Sequence, residues 1–392
     1  MPAAGSGEKD EVSMVLRGKR EKYLRVVLYG ILGLLAAVSI VQGCRNAEAY
    51  SQDFQWDAAK ALVLRVNPYT ESLNPTGALD AYGFEEYFKQ MEANQFPSLL
   101  FLLFPYTLLT PLAARYAWLI SNLVFTGAMV WLLRKTFFKE MQAQVFYLLV
   151  LLMIAGTPWR NQIGVGQHTI FSFLFFLLAV YFTQREKTVL ASLSLVVCYF
   201  KYTLTVPLAL YFVYKRKWKE LVISVSIHIL LTIGAAFWLK ESFLAMIIEP
   251  LKVSSALSGE GSMDIGALMG GGPYAFVLAG LVMAGLLFLS FVMPKDQEPL
   301  LVSILLLWSL IVTYHRSYDY FVMILPFCYF NGLTNDRKWE NAVYTILVFA
   351  VFFVLRLFSE SPASLAGVGI FYYLVTFALT GRGIRHCILN RR

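Results

Sequence analysis

Charged side chains are scarce in this chain: Asp, Glu, Lys and Arg make up 15% of its 392 residues, whereas 58% are hydrophobic. This composition excludes an ordinary water-soluble core, because apolar runs of about 20 residues, enough to cross a bilayer, recur along the sequence. Backbone groups in lipid must be satisfied within each segment, and the runs exceed the roughly 9 to 11 residues of a barrel strand. The sequence therefore predicts an all-α integral membrane protein.

Cysteine and histidine are also sparse, with four residues of each. The cysteines show no paired spacing, so the sequence predicts neither a disulfide framework nor a metal site. Phenylalanines are abundant, but they recur at the spacing of packed helix faces and indicate no cofactor. We expect the protein to need none, and a requirement for a divalent metal ion stays open.

The formal net charge of +8 comes from basic residues at the ends of the apolar runs. The clusters lie at residues 17–25, 215–219, 337–338 and 382–392. Loops that stay in the cytoplasm carry such an excess of Lys and Arg, so the charge indicates topology and no nucleic-acid partner. We predict a cytoplasmic basic arm over residues 1–22 and a cytoplasmic basic tail over residues 382–392.

If each span takes about 20 apolar residues, residues 23–381 form about twelve transmembrane helices in one domain. They are predicted near residues 23–43, 97–113, 115–134, 142–157, 168–183, 187–214, 219–239, 274–293, 298–314, 319–333, 340–358 and 364–381. An even count returns the basic tail to the side of the basic arm. The two long loops, 44–96 and 240–273, then face outward.

The run 187–214 contains both Lys201 and Pro207, which leaves one long kinked helix or two short helices open. A cation inside a span costs at least about 2.5 to 3.5 kcal/mol on insertion scales. Lys201 should therefore face protein or a wet cavity.

The first outer loop is polar and patterned. Apolar residues of the stretch 54–62 recur at helical spacing, and Asp53, Asp57 and Lys60 share the opposite face. Ser51 is a plausible N-cap. The pattern predicts an amphipathic helix lying in the membrane interface.

Two further segments of the outer loops show a pattern. Residues 84–91 alternate apolar and charged faces and predict a second interfacial helix. The loop 240–273 begins with Phe243, Met246 and Ile247 at helical spacing and then becomes rich in glycine. It is either a lid that orders over a substrate or a plain connector.

An ordered series of short motifs resembles a known family. The motifs are Asp53 with Asn67-Pro68-Tyr69, then Phe96-Pro97, Trp118 with Asn122, Gly166-Gln167, and Lys201 before the basic cluster 215–218. Together they look like the multispanning GT-C glycosyltransferases of family 87, and the likeness covers most of residues 45–330. The resemblance implies a GT-C helical bundle that takes a hexose, mannose by likeness, from a polyprenyl-phosphate donor. The acceptor would be a lipid or glycan hydroxyl at the outer face of the plasma membrane.

The resemblance places the catalytic base at the first acidic residue after the first helix, which is Asp53. A carboxylate there would take the proton of the acceptor hydroxyl, and a single displacement would invert the anomeric centre. Asp57, one turn further along the same face, is a second candidate for this role and a candidate substrate contact, or it simply pairs with Lys60. An acid at the start of a helix is also favoured by the helix dipole alone.

The leaving lipid phosphate needs a cationic or hydrogen-bonding partner. Lys201, His315 and Arg316 are the candidates, and His315 lies in a segment similar to the late outer histidine segment of the family. Lys201 is alternatively a lysine that extends to a helix end, and the tyrosines around His315 suit an interfacial aromatic belt.

Four further residues are predicted as substrate contacts. Trp56 and Tyr69 offer aromatic faces that suit a sugar ring or a lipid headgroup. Asn67 belongs to the family motif. Gln167 does too, but the helix count places the polar break at residues 160–168 on the inner side, away from Asp53.

Two other functions compete with this hypothesis. A transporter or flippase for a lipid-linked sugar would show inverted repeats and broken helices, and the sequence shows no convincing internal repeat. A ligase that uses diphosphate donors would favour a denser cationic outer surface than the predicted loops provide.

Overall fold

The computed structural model describes residues 6–83, 91–257, 264–268, 273–332, 338–354 and 362–389, and all regular structure in these ranges is helical. The α-helices are α1 Ser6–Ala49, α2 Trp56–Val63, α3 Pro68–Leu73, α4 Pro97–Leu100, α5 Phe104–Thr107, α6 Pro111–Thr136, α7 Ala143–Ala155, α8 Thr157–Gly164, α9 Thr169–Thr183, α10 Thr188–Cys198, α11 Tyr202–Tyr214, α12 Trp218–Leu239, α13 Phe243–Leu257, α14 Ile265–Leu268, α15 Pro273–Val292, α16 Glu298–Val312, α17 Ile324–Gly332, α18 Lys338–Phe349 and α19 Pro362–Leu389. The predicted all-α class is confirmed.

Five helical stretches among the described residues are long and apolar enough to cross a membrane. They are Val26–Ala49, Pro111–Thr136, Thr188–Tyr214, Trp218–Leu239 and Tyr274–Val292. The bent pair α7 and α8 adds a sixth if it counts as one span. The chain is a multi-pass membrane protein, but the predicted count of twelve spans is not confirmed.

Proline explains why residues 97–113 do not form a span. Pro97 begins α4, Pro105 lies in the first turn of α5, and Pro111 begins α6. Proline lacks a backbone donor and favours a helix start, so the apolar run divides into short pieces. Leu99, Leu100 and Leu103 pack into the same buried cluster as the apolar face of α2.

The predicted span 142–157 ends early as well. Helix α7 has 13 residues, about 20 Å of helix, and α8 follows at an angle of 56°. Gly156 adopts an extended conformation at the bend, and Pro158 stands in the first turn of α8. The bend returns the chain toward the C-terminal end of α1, against which α8 packs.

The run 187–214 forms two helices joined by a 3-10 turn, Tyr199–Lys201. Thr205 donates its hydroxyl to the carbonyls of Cys198 and Lys201, both at 3.0 Å, so the interruption leaves these acceptors satisfied. Lys201 projects from this turn toward protein, with its Nζ 3.4 Å from Asp319 Oδ2. The prediction that Lys201 faces protein is confirmed.

The two long loops, 44–96 and 240–273, are partly as predicted. Helix α2 confirms the first amphipathic segment, but Ser51 is not its N-cap: its hydroxyl donates to Ala47 O at 2.6 Å and ends α1. Residues 84–90 of the second predicted helix lie outside the described part of the chain. Helix α13 confirms the helical start of the loop 240–273, of which residues 258–263 and 269–272 are also outside that part.

The centre of the bundle is α16, whose residues Leu300 to Val312 are all buried. It packs against α11, α17 and α19. The last helix, predicted to end near residue 381, continues to Leu389.

Gly164, the last residue of α8, sets the approach of α8 to α1. A Cβ at Gly164 would lie 2.8 Å from the Cβ of Asn46, closer than such atoms pack. We predict that Gly164→Ala lowers the free energy of unfolding by about 1 to 3 kcal/mol through overpacking. Thermal unfolding in detergent measures the effect.

Gly127→Ala on α6 is the matched control, because a Cβ there has nothing within 4 Å. It should leave stability unchanged or raise it by up to about 1 kcal/mol. Equal melting temperatures for wild type and Gly164→Ala would contradict the close contact between α1 and α8.

Candidate active site

Asp53 lies in a short 3-10 turn, Gln52–Phe54, immediately after α1. The flanking residues Ser51 and Gln55 both have positive φ, 40° and 60°, so the backbone reverses tightly on both sides. The Asp53 N–H donates to Val165 O at 2.9 Å. This bond joins the acid-bearing turn to the loop that follows α8.

Gln167, in that loop, holds the Asp53 carboxylate. Its Nε2 donates to Asp53 Oδ2 at 3.2 Å and to the Tyr318 hydroxyl at 3.0 Å, while its Oε1 accepts the His168 N–H at 2.8 Å. The amide is thereby fixed from three sides. The prediction that the polar break at residues 160–168 lies away from Asp53 was wrong, because the bend before α8 brings the loop back to the turn that carries Asp53.

A second carboxylate, Asp319, lies beside this group and is fully buried. Three partners surround it: the His315 Nδ1 at 2.7 Å, the Lys201 Nζ at 3.4 Å and the Thr169 hydroxyl. Asp319 was not among the predicted site residues. Its signal in the sequence is the spacing of four from His315 within an apolar hairpin.

The three candidate phosphate ligands differ in exposure. Arg316 is exposed, and its Nε donates to the Tyr314 hydroxyl at 2.6 Å. The Lys201 side chain is 12% exposed and lies over the Tyr318 ring, 5.5 Å from its centroid. His315 is 1% exposed and turned toward Asp319 and Thr313. Arg316 and Lys201 can therefore reach a ligand in this conformation, whereas His315 is enclosed.

Burial raises the pKa of Asp53 above the ordinary value, although its side chain is not fully enclosed. The positive charges of Lys201 and Arg316 and a hydrogen bond with Tyr318 oppose this rise, and the negative charge of Asp319 adds to it. The result is a carboxyl group that binds a proton more readily than a solvated aspartate does.

Glu92 was not predicted from the sequence either. Burial and the charge of Asp53 raise its pKa, whereas Arg316 lowers it. Glu92 is exposed, so it adds negative charge at the open side of the group. Its backbone carbonyl accepts the Gln55 Nε2 at 2.8 Å, which ties it to the turn after α1.

Asp57 stands in the first turn of α2, and its Oδ1 accepts the Ala58 N–H at 2.8 Å. Burial raises its pKa to about 7 in spite of this bond. The charges that act on it are Glu92 and Arg115. Asp57 thus has a perturbed carboxyl group of its own, in surroundings different from those of Asp53.

Three of the other predicted contacts have partners within the fold. Trp56 is 5% exposed and donates its Nε1 to Tyr106 O at 3.0 Å. Tyr69 is fully buried and donates its hydroxyl to Gln95 O at 2.7 Å.

Asn67 caps α3 by accepting the N–H groups of Tyr69 and Thr70. Its Nδ2 donates to Glu249 on α13 at 3.0 Å. These contacts give Trp56, Asn67 and Tyr69 roles in the fold, and substrate contact by them remains a prediction.

Possible metal ligands are dispersed over the part of the chain that the structure describes. Within the described ranges, no group of three or more His, Cys, Asp and Glu has the geometry to hold a metal ion. The polar cluster formed by Asp53, Gln167, Lys201, Tyr318 and Asp319 is held by hydrogen bonds and an ion pair.

Comparison with known proteins identifies the family. Residues 97–317, more than half of the chain, match the family model described as glycosyltransferase family 87. The chain belongs to glycosyltransferase family 87. This membership confirms the resemblance, places the chain in the GT-C superfamily and makes it a membrane glycosyltransferase. No curated protein and no solved structure matches it.

The matched range includes Gln167, Lys201, His315 and Arg316 and begins after Asp53. The structure brings Asp53 to Gln167 all the same. The contact between the turn after α1 and the loop after α8 thus joins a residue outside the matched range to residues inside it.

The raised pKa of Asp57 predicts a dependence of stability on pH. The group binds its proton more tightly in the folded state, so its favourable contribution is complete below about pH 4, the ordinary aspartate value, and is lost as pH rises through about 7. Asp57→Asn, which cannot ionise, should melt higher than wild type at pH 8, and the difference should vanish near pH 4. Thermal unfolding across this pH range measures it, and a difference independent of pH would contradict the assignment.

Proposed function

We propose that this membrane glycosyltransferase transfers a single hexose, mannose by family resemblance, from a polyprenyl-phosphate donor to an acceptor hydroxyl. The acceptor belongs to a lipid or glycan at the outer face of the plasma membrane. Family membership supports the transferase activity, and the basic residues 17–25 in the N-terminal part of α1 support an outward position for the turn that carries Asp53.

The observation that carries the proposal is the setting of Asp53. Its carboxylate is partly exposed, Gln167 fixes one of its oxygens, and its pKa is raised by burial. A general base needs hydrogen-bond reach to the acceptor hydroxyl and a pKa nearer to the working pH than that of a solvated aspartate. Asp53 in this setting takes the proton as the hydroxyl attacks the anomeric carbon.

The departing lipid phosphate develops negative charge that positioned cations stabilise. Arg316 is exposed, and both its charge and that of Lys201 act on Asp53. A donor whose anomeric carbon lies near Asp53 therefore has two cations close to its phosphate. The exposed Arg316 contacts the donor phosphate from the solvent-accessible side of the cluster, and the mostly buried Lys201 contacts it from the protein interior.

A single displacement with inversion fits the two carboxylates. Asp319 is fully buried and already bound by Lys201, His315 and Thr169, so it is not free to attack the sugar as a nucleophile. Asp53 remains as one base, and one displacement proceeds from the face opposite the leaving group.

A lipid-linked sugar transporter is the second candidate, because broken helices within the bundle are a feature of transporters. The break between α10 and α11 contributes Lys201 to the polar cluster, and the loop after the bent pair α7 and α8 contributes Gln167. Purified protein in detergent separates the two functions, because there is no membrane to cross. Consumption of polyprenyl-phosphate mannose with an added acceptor supports a transferase, and its absence in a folded preparation supports transport.

Asp53→Asn tests the base. It keeps an oxygen for Gln167 but cannot take a proton, so kcat should fall by about 10² to 10⁴ while the KM for the donor changes little. Transfer of radiolabelled mannose from polyprenyl-phosphate mannose in detergent measures both. Asp80→Asn, an exposed acid of the same outer loop, is the control and should keep wild-type turnover. Retained turnover in Asp53→Asn would overturn the assignment.

Arg316→Gln tests the phosphate contact. Loss of one charge-assisted hydrogen bond, worth about 1.5 to 3 kcal/mol, should raise the KM for the donor by about 10- to 100-fold and leave the KM for the acceptor unchanged. Arg185→Gln is a matched control, because Arg185 also lies against a tyrosine, 3.5 Å from the Tyr181 ring, but outside the cluster. An unchanged donor KM in Arg316→Gln would remove Arg316 from the donor site.

A further inference from the structure

The charge of Lys201 acts on two carboxylates of the site, those of Asp319 and Asp53. The Lys201 Nζ lies 3.4 Å from Asp319 Oδ2, and the charge of Lys201 also acts on Asp53. Tyr318 connects the two acids, because it directly precedes Asp319 in the chain and its hydroxyl accepts a hydrogen bond from Gln167, which also holds Asp53. The position of Lys201 therefore affects both the charge compensation of Asp319 and the pKa of Asp53.

Asp319 holds Lys201 more firmly than Asp53 does. A fully buried carboxylate must be compensated by charge, and Lys201 faces Asp319 together with the neutral Thr169 hydroxyl and the His315 ring. Asp53 is partly exposed and has water as an alternative partner. The backbone also fixes Lys201 in place, because its N–H donates to the Ser172 hydroxyl at 2.8 Å.

We propose that Asp319 is a positioning residue that retains Lys201 as its own counter-ion and so keeps this cation from closing on Asp53. The inference rests on the proposed role of Asp53 as the base. An ion pair between Lys201 and Asp53 would engage the carboxylate oxygens that must receive the acceptor proton. It would also stabilise the ionised form and weaken the base.

The charges around Asp53 give the direction of the effect. The groups that act on it are Lys201, Tyr318, Arg316 and Asp319, and it in turn acts on Glu92. Asp319 raises the pKa of Asp53, whereas Lys201 lowers it. Removal of the Asp319 charge ends the rise that Asp319 causes. It also releases Lys201 to approach Asp53 and lower the pKa further, so both changes lower the pKa of Asp53.

The test measures the protonation of Asp53 directly. Dicyclohexylcarbodiimide adds to protonated carboxyl groups, and mass spectrometry of the Asp53 peptide reports the extent of labelling at each pH. In Asp319→Asn, the midpoint of this labelling should fall by about one pH unit or more relative to wild type. The acid limb of kcat/KM should move in the same direction. In Lys201→Met both should move to higher pH.

Two controls separate positioning from simple support of the fold. Asp319→Glu retains the charge and should restore a midpoint near that of wild type, and Asp80→Asn should leave it unchanged. A loss of melting temperature in Asp319→Asn with an unchanged labelling midpoint would overturn the proposal. A midpoint that rises in Asp319→Asn would also overturn it.

A double variant covers the case in which Asp319→Asn does not fold. Lys201→Met with Asp319→Asn removes both charges of the buried pair, which proteins tolerate better than removal of one. Relative to Lys201→Met alone, the double variant should show only a small further fall in the midpoint, because it loses the direct effect of the Asp319 charge while the effect through Lys201 is already absent. A further fall of a full unit or more would show that the direct effect dominates and would contradict the proposal.

The two proposals fail in distinguishable ways. Retained turnover in Asp53→Asn defeats the assignment of the base but leaves the labelling midpoints as they are. Unchanged midpoints in Asp319→Asn, together with lost turnover in Asp53→Asn, defeat only the role of Asp319.

Discussion

A charged side chain inside an apolar bundle must have a partner, and the rest of this site follows from how the chain provides one. Lys201 stands at a 3-10 turn between α10 and α11, and Asp319 compensates its charge from the segment before α17. The loop after α8, which the bend between α7 and α8 redirects, places Gln167 in the same cluster. Three interruptions of regular helix thus meet at one place. Polar residues at such interruptions are unfavourable in contact with lipid, and here they line the site instead.

Hydropathy and helical spacing in the sequence predicted the features that depend on neighbouring residues in the chain. The all-α class follows from the long apolar runs, and the amphipathic helix α2 follows from the spacing of its small and apolar residues. The energetic cost of a buried cation predicted that Lys201 would face protein, and the structure supplies Asp319. The ordered short motifs predicted the family, which the match over residues 97–317 confirms.

Features that depend on three-dimensional packing escaped prediction. Hydropathy counted residues 97–113 as a span, although the apolar helical stretch Pro97–Thr107 is too short to cross a bilayer and a new helix begins at Pro111. The side on which Gln167 lies depends on a bend of 56°, and sequence spacing carries no angle. Asp319 belongs to a segment whose tyrosines suit an aromatic belt, and only the packed structure turns its carboxylate toward Lys201 and His315.

The structure of Asp53→Asn with polyprenyl-phosphate mannose and an acceptor bound tests the central claim most directly. The substitution slows turnover enough to hold both substrates while retaining the shape of the side chain. We expect the acceptor hydroxyl to lie within about 2.6 to 3.2 Å of the side chain at position 53, on the face of the sugar opposite the phosphate. An acceptor hydroxyl bound instead against Asp57 or Glu92 would contradict the assignment of Asp53 as the base.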